Sequence, residues 1–247
     1  MINALNAVNF SYSLIPFLIS KFGLGGSVWT PVLTVLGVVL CIVVPYLLGS
    51  INFAIILSRK MNNDDVRKHG SGNAGATNML RTYGKRAAIM TIGGDMLKAA
   101  ISVLFGQLIF GNIGGAVASF FVVFGHMFPI FFKFRGGKGV ASAAMAILVL
   151  SPPTFLIMLA IFIIIVAGTK YVSLGSTMAA LLYPLLIDRM DRIFSVSEGK
   201  GTRFIFALLT CIFVIFMHRE NLKRIYNGNE SKISLGKKKK EKNKDEK

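Results

Sequence analysis

Glycines, small polar residues and cations are concentrated in one segment, KHGSGNAGATNMLRTYGKR, at residues 68–86. Its glycines let the backbone turn tightly and bring N–H groups close to a ligand. Successive N–H groups form concavities that bind anions, and a helix that begins near Thr77 would add the positive end of its dipole. Arg81, one turn into that helix, is suited to hold a phosphate through two parallel hydrogen bonds. We predict an anion site here; the alternative is a flexible polar linker.

A second segment of similar character is GHMFPIFFKFRGGKGVAS, at residues 125–142. In a nucleotide-binding P-loop a glycine stands directly before the lysine, another glycine stands five residues before that one, and Ser or Thr follows the lysine. Here Phe132 occupies the position of the first glycine, and Gly139 follows the lysine. An NTPase is therefore excluded. What remains is Lys138, supported by glycines and suited to bind a phosphate or an oxyanion. The alternative is a basic turn that anchors a helix end to lipid headgroups.

Two smaller polar clusters lie within or beside apolar sequence. In GGDMLK, Asp95 and Lys98 are three residues apart, so they share one face of a helix and can form an ion pair. Charges inside an apolar segment usually face a polar interior, which leaves a structural pair and a site role both open. In HRENLKRIYNG, His218 and Asn221 project from one side of a helix that extends beyond the last apolar block. The alternative there is a basic helix end at the membrane surface.

Long apolar blocks surround these polar segments. The mean hydropathy is +0.63 and 53% of the residues are hydrophobic, which excludes an ordinary soluble domain. Residues 32–57 contain no Asp, Glu, Lys or Arg, as is typical of a membrane span. Comparable blocks lie at about residues 87–111, 113–132, 143–168, 172–187 and 204–217. We predict one integral membrane domain of five to seven spans, with a break after Ser151, where two prolines follow.

The positive charge is concentrated in the connections between these blocks. Of the formal net charge of +17, residues 58–86 contribute seven Lys or Arg against two Asp, and residues 218–247 contribute eleven against five acids. The positive-inside rule places both segments in the cytoplasm, and an odd number of spans then places the N-terminus outside. A lysine-rich tail beside a membrane is expected to meet anionic lipid rather than nucleic acid. Cys41 and Cys211 lie in apolar blocks and are predicted to be packing thiols.

Taken together, GSINF, HGSGNAGATNMLRTYGK, GDMLKA, FGHMFPIFFKFRGGKGVA and HRENLKRI resemble the bacterial acyl-phosphate:glycerol-3-phosphate acyltransferase family (PlsY). The resemblance implies an all-α integral membrane protein, a bundle of about seven transmembrane helices with the N-terminus outside and the C-terminus cytoplasmic. It implies an acyltransferase domain at residues 33–230. Residues 1–32 would form a membrane-associated N-terminal extension, and residues 231–247 a basic, disordered cytoplasmic tail.

The resemblance implies transfer of a fatty acyl group from acyl phosphate to the 1-hydroxyl of glycerol 3-phosphate, giving lysophosphatidate and phosphate in phospholipid biosynthesis. It implies no cofactor, no metal and no nucleic-acid partner, contact with membrane lipids, and function as a monomer. It places the active site on the cytoplasmic face of the bacterial cell membrane. The His-x4-Asp pair of other glycerolipid acyltransferases is absent, because Ala74, Phe131 and Lys223 stand five residues after the three histidines.

Residue by residue, the resemblance implies catalytic roles for Ser71, Arg81, Lys138, His218 and Asn221, and substrate-binding roles for Asn73, Thr77, Asn78, Gly136, Gly137, Gly139 and Ser176. In this hypothesis Arg81 and Lys138 hold phosphate groups, and N–H groups of the glycine loops polarise the acyl carbonyl. Ser71, His218 and Asn221 would orient glycerol 3-phosphate. Asn52 departs from the family pattern, which usually has proline there, and is expected to alter a helix kink without touching the chemistry.

The sequence has no Ser–His–Asp or Cys–His arrangement of the kind that supports a covalent intermediate. Acyl phosphate is already activated, so we predict direct attack in a ternary complex, with positioning and oxyanion stabilisation supplying the rate. The family is thought to use the substrate's own phosphate as proton acceptor; His218 as general base and Ser71 as nucleophile are the alternatives. Two other functions stay open, a phosphate or organic-anion transporter and a structural membrane anchor.

Overall fold

The computed structural model describes residues 13–233, which form helices and loops with no strand among them. The α-helices are α1 (Leu14–Lys21), α2 (Trp29–Ser50), α3 (Phe53–Asn62), α4 (Ala76–Met127), α5 (Val140–Leu150), α6 (Pro152–Thr169), α7 (Val172–Ile193), α8 (Lys200–Met217) and α9 (Arg219–Tyr226). Short 3₁₀ turns lie at Val66–Lys68 and Ile130–Phe132. The all-α prediction is confirmed for this part of the chain. The predictions for residues 1–12 and for the tail at 234–247 lie outside the described residues.

The backbone of α4 leaves helical geometry at Gly84 and again at Gly111, where the chain reverses and forms a helical hairpin. This glycine has φ 54° and ψ −137°, a conformation that residues with a Cβ atom strongly disfavour. Residues 112–127 therefore run back along residues 85–109. The two halves pack closely at Gly106, where a Cβ would overlap the carbonyl oxygen of Gly114. The reversal places the middle of the first half beside the end of the second.

The predicted break after Ser151 is confirmed, since α5 ends at Leu150 and α6 begins at Pro152. Proline suits the first position of a helix because its fixed φ is helical and the N–H it lacks has no helical partner there. Among the described residues, four helical runs are long and apolar enough to cross a membrane: Trp29–Asn62, Ala76–Phe132, Pro152–Thr169 and Lys200–Met217. The count of seven spans and the orientation of the termini stay predictions.

The bundle is apolar on its outer surface and carries polar groups inside. On α6, Ile163 and Ile164 are 54% and 69% exposed, as expected for a face that contacts lipid. The centre is formed by α4, α5, α7 and α8, which meet at Ala99, Val122, Val123, Met127, Ala143, Ala180 and Val214. Small residues at such positions let helices approach closely. The helices thereby hold their loop ends near one another at one end of the bundle.

The described part of the N-terminal extension packs against the bundle through α1. Ile15 lies in a buried cluster with Cys41 of α2 and with Ile109, Phe110 and Val117 of α4. Cys41 and Cys211 are both buried free thiols, which confirms their predicted packing role.

Candidate active site

A cavity of about 550 Å³ lies where the segments before α4, α5 and α7 meet the end of α8. It is lined by all of the predicted site residues except Gly136 and Gly137, namely Ser71, Asn73, Thr77, Asn78, Arg81, Lys138, Gly139, Ser176, His218 and Asn221. These residues come from four separate parts of the chain. The helix packing, and not proximity in sequence, brings them together.

The cavity is polar at the helix ends and apolar further along the helices. On α7, Ser173 and Ser176 are followed by Ala179 and Tyr183, which also line it. The apolar lining continues with Ile92, Met96, Ala143, Ile147, Phe155, Met158, Phe162 and Val214. A polar mouth joined to an apolar interior suits a ligand with an anionic head and a hydrocarbon chain.

The first glycine loop is held by the side chain of Asn78, which is 1% exposed. Its Nδ2 donates to the carbonyl oxygens of Val66 (3.0 Å) and His69 (2.9 Å), and its Oδ1 accepts from the Ser71 N–H (3.1 Å). The amide therefore bonds to the loop backbone, and Asn78 fixes the shape of the cavity wall that it lines.

Asn52 attaches the same loop to the membrane helices. It is fully buried at the N-cap of α3, where its Oδ1 accepts from the Ile55 N–H at 3.1 Å. Its Nδ2 donates to the carbonyl oxygen of Ala74 at 3.3 Å. Proline has no side-chain amide, so this departure from the family pattern adds a cap and a loop contact.

The loop leads into the N-terminus of α4 at the cavity wall. This helix begins at Ala76, close to the start predicted near Thr77. The first N–H groups of a helix have no partner within it and carry the positive end of its dipole. Ala76, Thr77 and Arg81 all line the cavity, so backbone donors and a guanidinium group are available to the same anion.

The glycine turn before α5 places Lys138 at the cavity, and two of its N–H groups donate within the protein. The N–H of Gly136 donates to the Met127 carbonyl oxygen and that of Gly137 to the His126 carbonyl oxygen, both at 3.1 Å. Neither glycine lines the cavity. The substrate-binding role of Gly136 and Gly137 stays a prediction, and in this structure both N–H donors bond to backbone carbonyls of the protein.

We expect Gly137→Ala to destabilise the protein. A Cβ at this position would overlap Nε2 of His126 and would lie 2.5 Å from the Ala74 carbonyl oxygen. Overpacking of this kind costs about 1–3 kcal/mol, so the thermal unfolding midpoint in detergent should fall by roughly 5 °C. Gly201→Ala is the control, since a Cβ at Gly201 meets nothing within 4 Å. An unchanged midpoint in Gly137→Ala would contradict this account of the turn.

A buried cluster of charged and polar side chains lies beside the turn. The ammonium group of Lys98 lies 2.9 Å from Asp95 Oδ1 and 3.0 Å from His126 Nδ1, and the side chains of all three are 3–4% exposed. It also donates to the carbonyl oxygens of Gly49 (2.9 Å) and Ile51 (2.7 Å) at the end of α2. The predicted Asp95–Lys98 pair is confirmed, and its contacts join α2 to both halves of α4.

Lys138 is the central cation of the cavity mouth. Its ammonium group donates to Oδ1 of Asn221. Burial lowers the pKa of Lys138 to about 8, Glu230 opposes that shift, and the positive charges of Arg224 and Arg81 add to it. Lys138 is therefore mostly a cation at pH 7, and it becomes mostly neutral once the pH rises above about 8.

His218 lies beside Lys138 at the end of α8 and is 2% exposed. Its Nδ1 lies 2.8 Å from the Val214 carbonyl oxygen, so Nδ1 carries the proton and Nε2 is the acceptor in the neutral ring. Burial, and then the charge of Lys138, lowers the pKa of His218 to about 4. The ring is neutral at pH 7 and suited to accept a hydrogen bond from a hydroxyl group.

Two residues, one that supports the site and one that lines it, had no signal in the sequence. Arg67 donates from Nη1 to the carbonyl oxygens of Phe132 and Arg135, both at 3.1 Å, and so joins the first glycine loop to the second. Glu230 lines the cavity from the segment after α9. Both are single charged residues in polar sequence, without a diagnostic spacing. Within residues 13–233, no group of three or more His, Cys, Asp or Glu is placed to hold a metal ion.

The fold and the site together define an α-helical membrane protein whose cavity joins a cationic mouth to an apolar interior. The sequence profile described as glycerol-3-phosphate acyltransferase matches residues 39–228. Over 195 residues the chain is 44% identical to the glycerol-3-phosphate acyltransferase of Thermoanaerobacter sp. (strain X514), covering 79% of this chain and 95% of that one. The Bacillus subtilis (strain 168) protein of the same name is 39% identical over 196 residues, 79% of this chain and 97% of that one. The chain belongs to the glycerol-3-phosphate acyltransferase family.

Solved structures of one relative agree with this assignment. The glycerol 3-phosphate form of PlsY (YgiH), an integral membrane glycerol 3-phosphate acyltransferase, aligns with a TM-score of 0.71 at 32% identity, covering 80% of this chain and 96% of that one. Its lysophosphatidic acid form aligns with a TM-score of 0.69 at 30% identity, covering 80% and 95%. The resemblance to the PlsY family seen in the sequence is confirmed.

Proposed function

We propose that this protein transfers a fatty acyl group from acyl phosphate to the 1-hydroxyl of glycerol 3-phosphate, giving lysophosphatidate and phosphate. The observation that carries the proposal is the single cavity in which Arg81, Lys138 and the N-terminus of α4 face the same space as a long apolar lining. An acyl phosphate has an anionic head and a hydrocarbon chain, and glycerol 3-phosphate is a second anion. Both substrates match this distribution of charge and apolar surface.

In the proposed step the hydroxyl oxygen attacks the acyl carbonyl carbon, a carbon–oxygen bond forms, and the bond to the phosphate oxygen breaks. The departing phosphate accepts the hydroxyl proton. Lys138 and Arg81 hold the two phosphate groups, and cations close to the reacting atoms stabilise negative charge in the transition state. In this proposal the N–H groups of Ala76 and Thr77, at the start of α4, take the oxyanion role predicted for the glycine loops, since those of Gly136 and Gly137 bond to backbone carbonyls.

Ser71 and His218 orient glycerol 3-phosphate in this proposal, together with Asn221. Ser71 lies on the exposed rim of the cavity, and His218 presents a neutral ring. Because a general base works best with a pKa near the operating pH, a histidine with a pKa of about 4 is poorly matched to that role. The low pKa therefore favours the substrate phosphate over His218 as proton acceptor in this proposal.

The proposed setting is the bacterial cell membrane, with the cavity mouth on the cytoplasmic side. The basic loop at residues 58–86 and the start of the C-terminal segment both lie at the mouth, which supports this orientation under the positive-inside rule. The proposal also includes function as a monomer.

The decisive experiment compares three acyl donors. Purified protein in detergent is given glycerol 3-phosphate with palmitoyl phosphate, palmitoyl-CoA or palmitoyl acyl carrier protein, and phosphate release and lysophosphatidate are measured. We expect product from palmitoyl phosphate alone. Product from either thioester at a similar rate would refute acyl phosphate as the specific acyl donor. No product from any of the three donors would refute the proposed reaction.

We expect His218→Gln to lower kcat/KM by about tenfold, the effect of one lost hydrogen bond, while the pH profile between pH 6 and 8 keeps its shape. The histidine is already neutral in this range, so its removal takes away no titration there. Loss of a general base would instead cost about 10²–10⁴-fold. Initial rates from pH 5 to 9 provide the measurement, with the exposed neighbour Arg219→Gln as control. An acid limb near pH 6–7 that is present only in the parent would favour His218 as the base.

A further inference from the structure

The segment after α9 turns one carboxylate into the cavity. The side chain of Glu230 is 7% exposed, whereas Asn229, Ser231 and Lys232 on either side are exposed. Backbone bonds hold this turn in place, from the Asn229 N–H to the Arg224 carbonyl oxygen at 2.8 Å and from Ile233 to the loop before α7. Glu230 also lies beyond residue 228, where the match to the family profile ends.

Three donors surround the Glu230 carboxylate. Oε1 accepts from Asn221 Nδ2 at 2.6 Å and from Ser173 Oγ at 2.8 Å, and Oε2 accepts from Arg224 Nε at 2.8 Å. Burial disfavours its charge, but the hydrogen bonds from Asn221, Arg224 and Ser173 outweigh burial and lower the pKa of Glu230. The group is therefore a carboxylate at pH 7, placed among residues of the predicted site.

Asn221 connects this carboxylate to Lys138. Its Nδ2 donates to Glu230, and its Oδ1 accepts from the Lys138 ammonium group. A carboxylate only accepts hydrogen bonds and an ammonium group only donates them, so the two charges together fix which way the amide points. Without Glu230 the amide is free to rotate, and its NH₂ group can turn toward the lysine and lose the bond.

We propose that Glu230 is a positioning residue for the reaction: it fixes the Asn221 amide and supplies the counter-charge that holds Lys138 in place as a cation. The catalytic part of this inference, a role for Glu230 in acyl transfer, rests on the proposed function. The influence of Glu230 on Lys138 does not, because it can be measured without turnover.

The charges around Lys138 predict the sign of the effect. Arg81 faces it from α4, Arg224 from α9 and Glu230 from the C-terminal segment, while His218 of α8 is neutral. Glu230 is the negative charge in this set. Its removal leaves Lys138 among cations, so the lysine loses its proton at a lower pH. Removal of Arg224 has the opposite sign, because it takes away a repelling cation.

The test compares Glu230→Gln, Arg224→Gln and the parent protein. Glu220→Gln is the matched control, since it removes the same charge from an exposed position on α9. The first readout is the rate at which an N-hydroxysuccinimide ester acylates Lys138 as a function of pH, followed by mass spectrometry. The second is the pH dependence of kcat/KM for acyl transfer from palmitoyl phosphate.

We expect half-maximal labelling of Lys138 near pH 8 in the parent and in Glu220→Gln. In Glu230→Gln the pH of half-maximal labelling should fall by about one unit, the low end of the effect of losing a close opposite charge. In Arg224→Gln this pH should rise. The alkaline limb of kcat/KM should move with the labelling curve, and kcat/KM of Glu230→Gln at pH 7 should fall roughly tenfold, as for one lost hydrogen bond.

Each failure has a distinct meaning. An unchanged labelling curve in Glu230→Gln overturns the inference whatever the activity. The same downward shift in Arg224→Gln also overturns it, because the effect would then come from loosening the segment and not from charge. A parent that labels as expected but transfers no acyl group refutes the proposed function and leaves the influence of Glu230 on Lys138 established.

Discussion

Lys138→Ala is expected to lower kcat/KM for acyl transfer by about 10²–10³-fold, the usual effect of removing one donor that stabilises transition-state charge. Lys138 is the cation at the centre of the cavity mouth, and a glycine turn and Asn221 hold it there. The measurement is phosphate release from palmitoyl phosphate in the presence of glycerol 3-phosphate. Lys133→Ala is the control, because it removes an exposed lysine from the same connection.

The pH dependence gives a second check on Lys138. Since kcat/KM reports groups of the free enzyme, a pKa of about 8 predicts full activity below pH 7 and a loss as pH rises through 8. Lys138→Arg keeps its charge throughout this range, so the alkaline limb should disappear even if the rate is reduced. A limb that stays near pH 8 in Lys138→Arg would assign it to another group. Parent-like activity in Lys138→Ala would remove Lys138 from the mechanism.

Asp95→Asn is expected to have the largest effect on stability. The substitution removes the carboxylate that neutralises the Lys98 ammonium group, and the side chains of both residues are only 3% exposed. Removing one partner of a buried ion pair costs about 3–5 kcal/mol. The thermal unfolding midpoint in detergent should fall by roughly 10 °C. Asp188→Asn is the comparison, because the Asp188–Arg192 pair lies at the protein surface and such pairs contribute little.

A double variant separates charge from packing in this cluster. Asp95→Asn combined with Lys98→Met removes both charges, so part of the lost stability should return. Recovery is incomplete because Lys98 also donates to the carbonyl oxygens of Gly49 and Ile51. If Asp95→Asn is as stable as the parent, the cluster does not join α2 to α4 in the way described.

Several features follow from the sequence because they depend on local chemistry. Membrane-length apolar runs predict helices, since a backbone in lipid must satisfy its own hydrogen bonds. The prolines after Ser151 start a new helix because their fixed φ fits its first turn. Glycines and cations before α4 predicted a polar cavity wall, and Arg81 lies on it.

Tertiary structure decided which of these groups are available to a ligand. Gly136 and Gly137 have the composition of an anion site, but their N–H groups bond to carbonyls at the end of α4. Asn78 was predicted to bind substrate, and the structure adds that its amide bonds to the loop backbone. A residue type shows what a group can bind, whereas only packing shows whether its partner is the protein itself.

The long-range contacts of the site were beyond sequence reasoning for the same reason. Lys138 meets Asn221 across 83 residues of chain, and Glu230 reaches them from the segment after the last helix. The sequence determined the helical membrane architecture and the chemical character of the cavity mouth. The folded structure decided the hydrogen-bond partners and charge environment of Lys138, because these depend on how four distant segments meet.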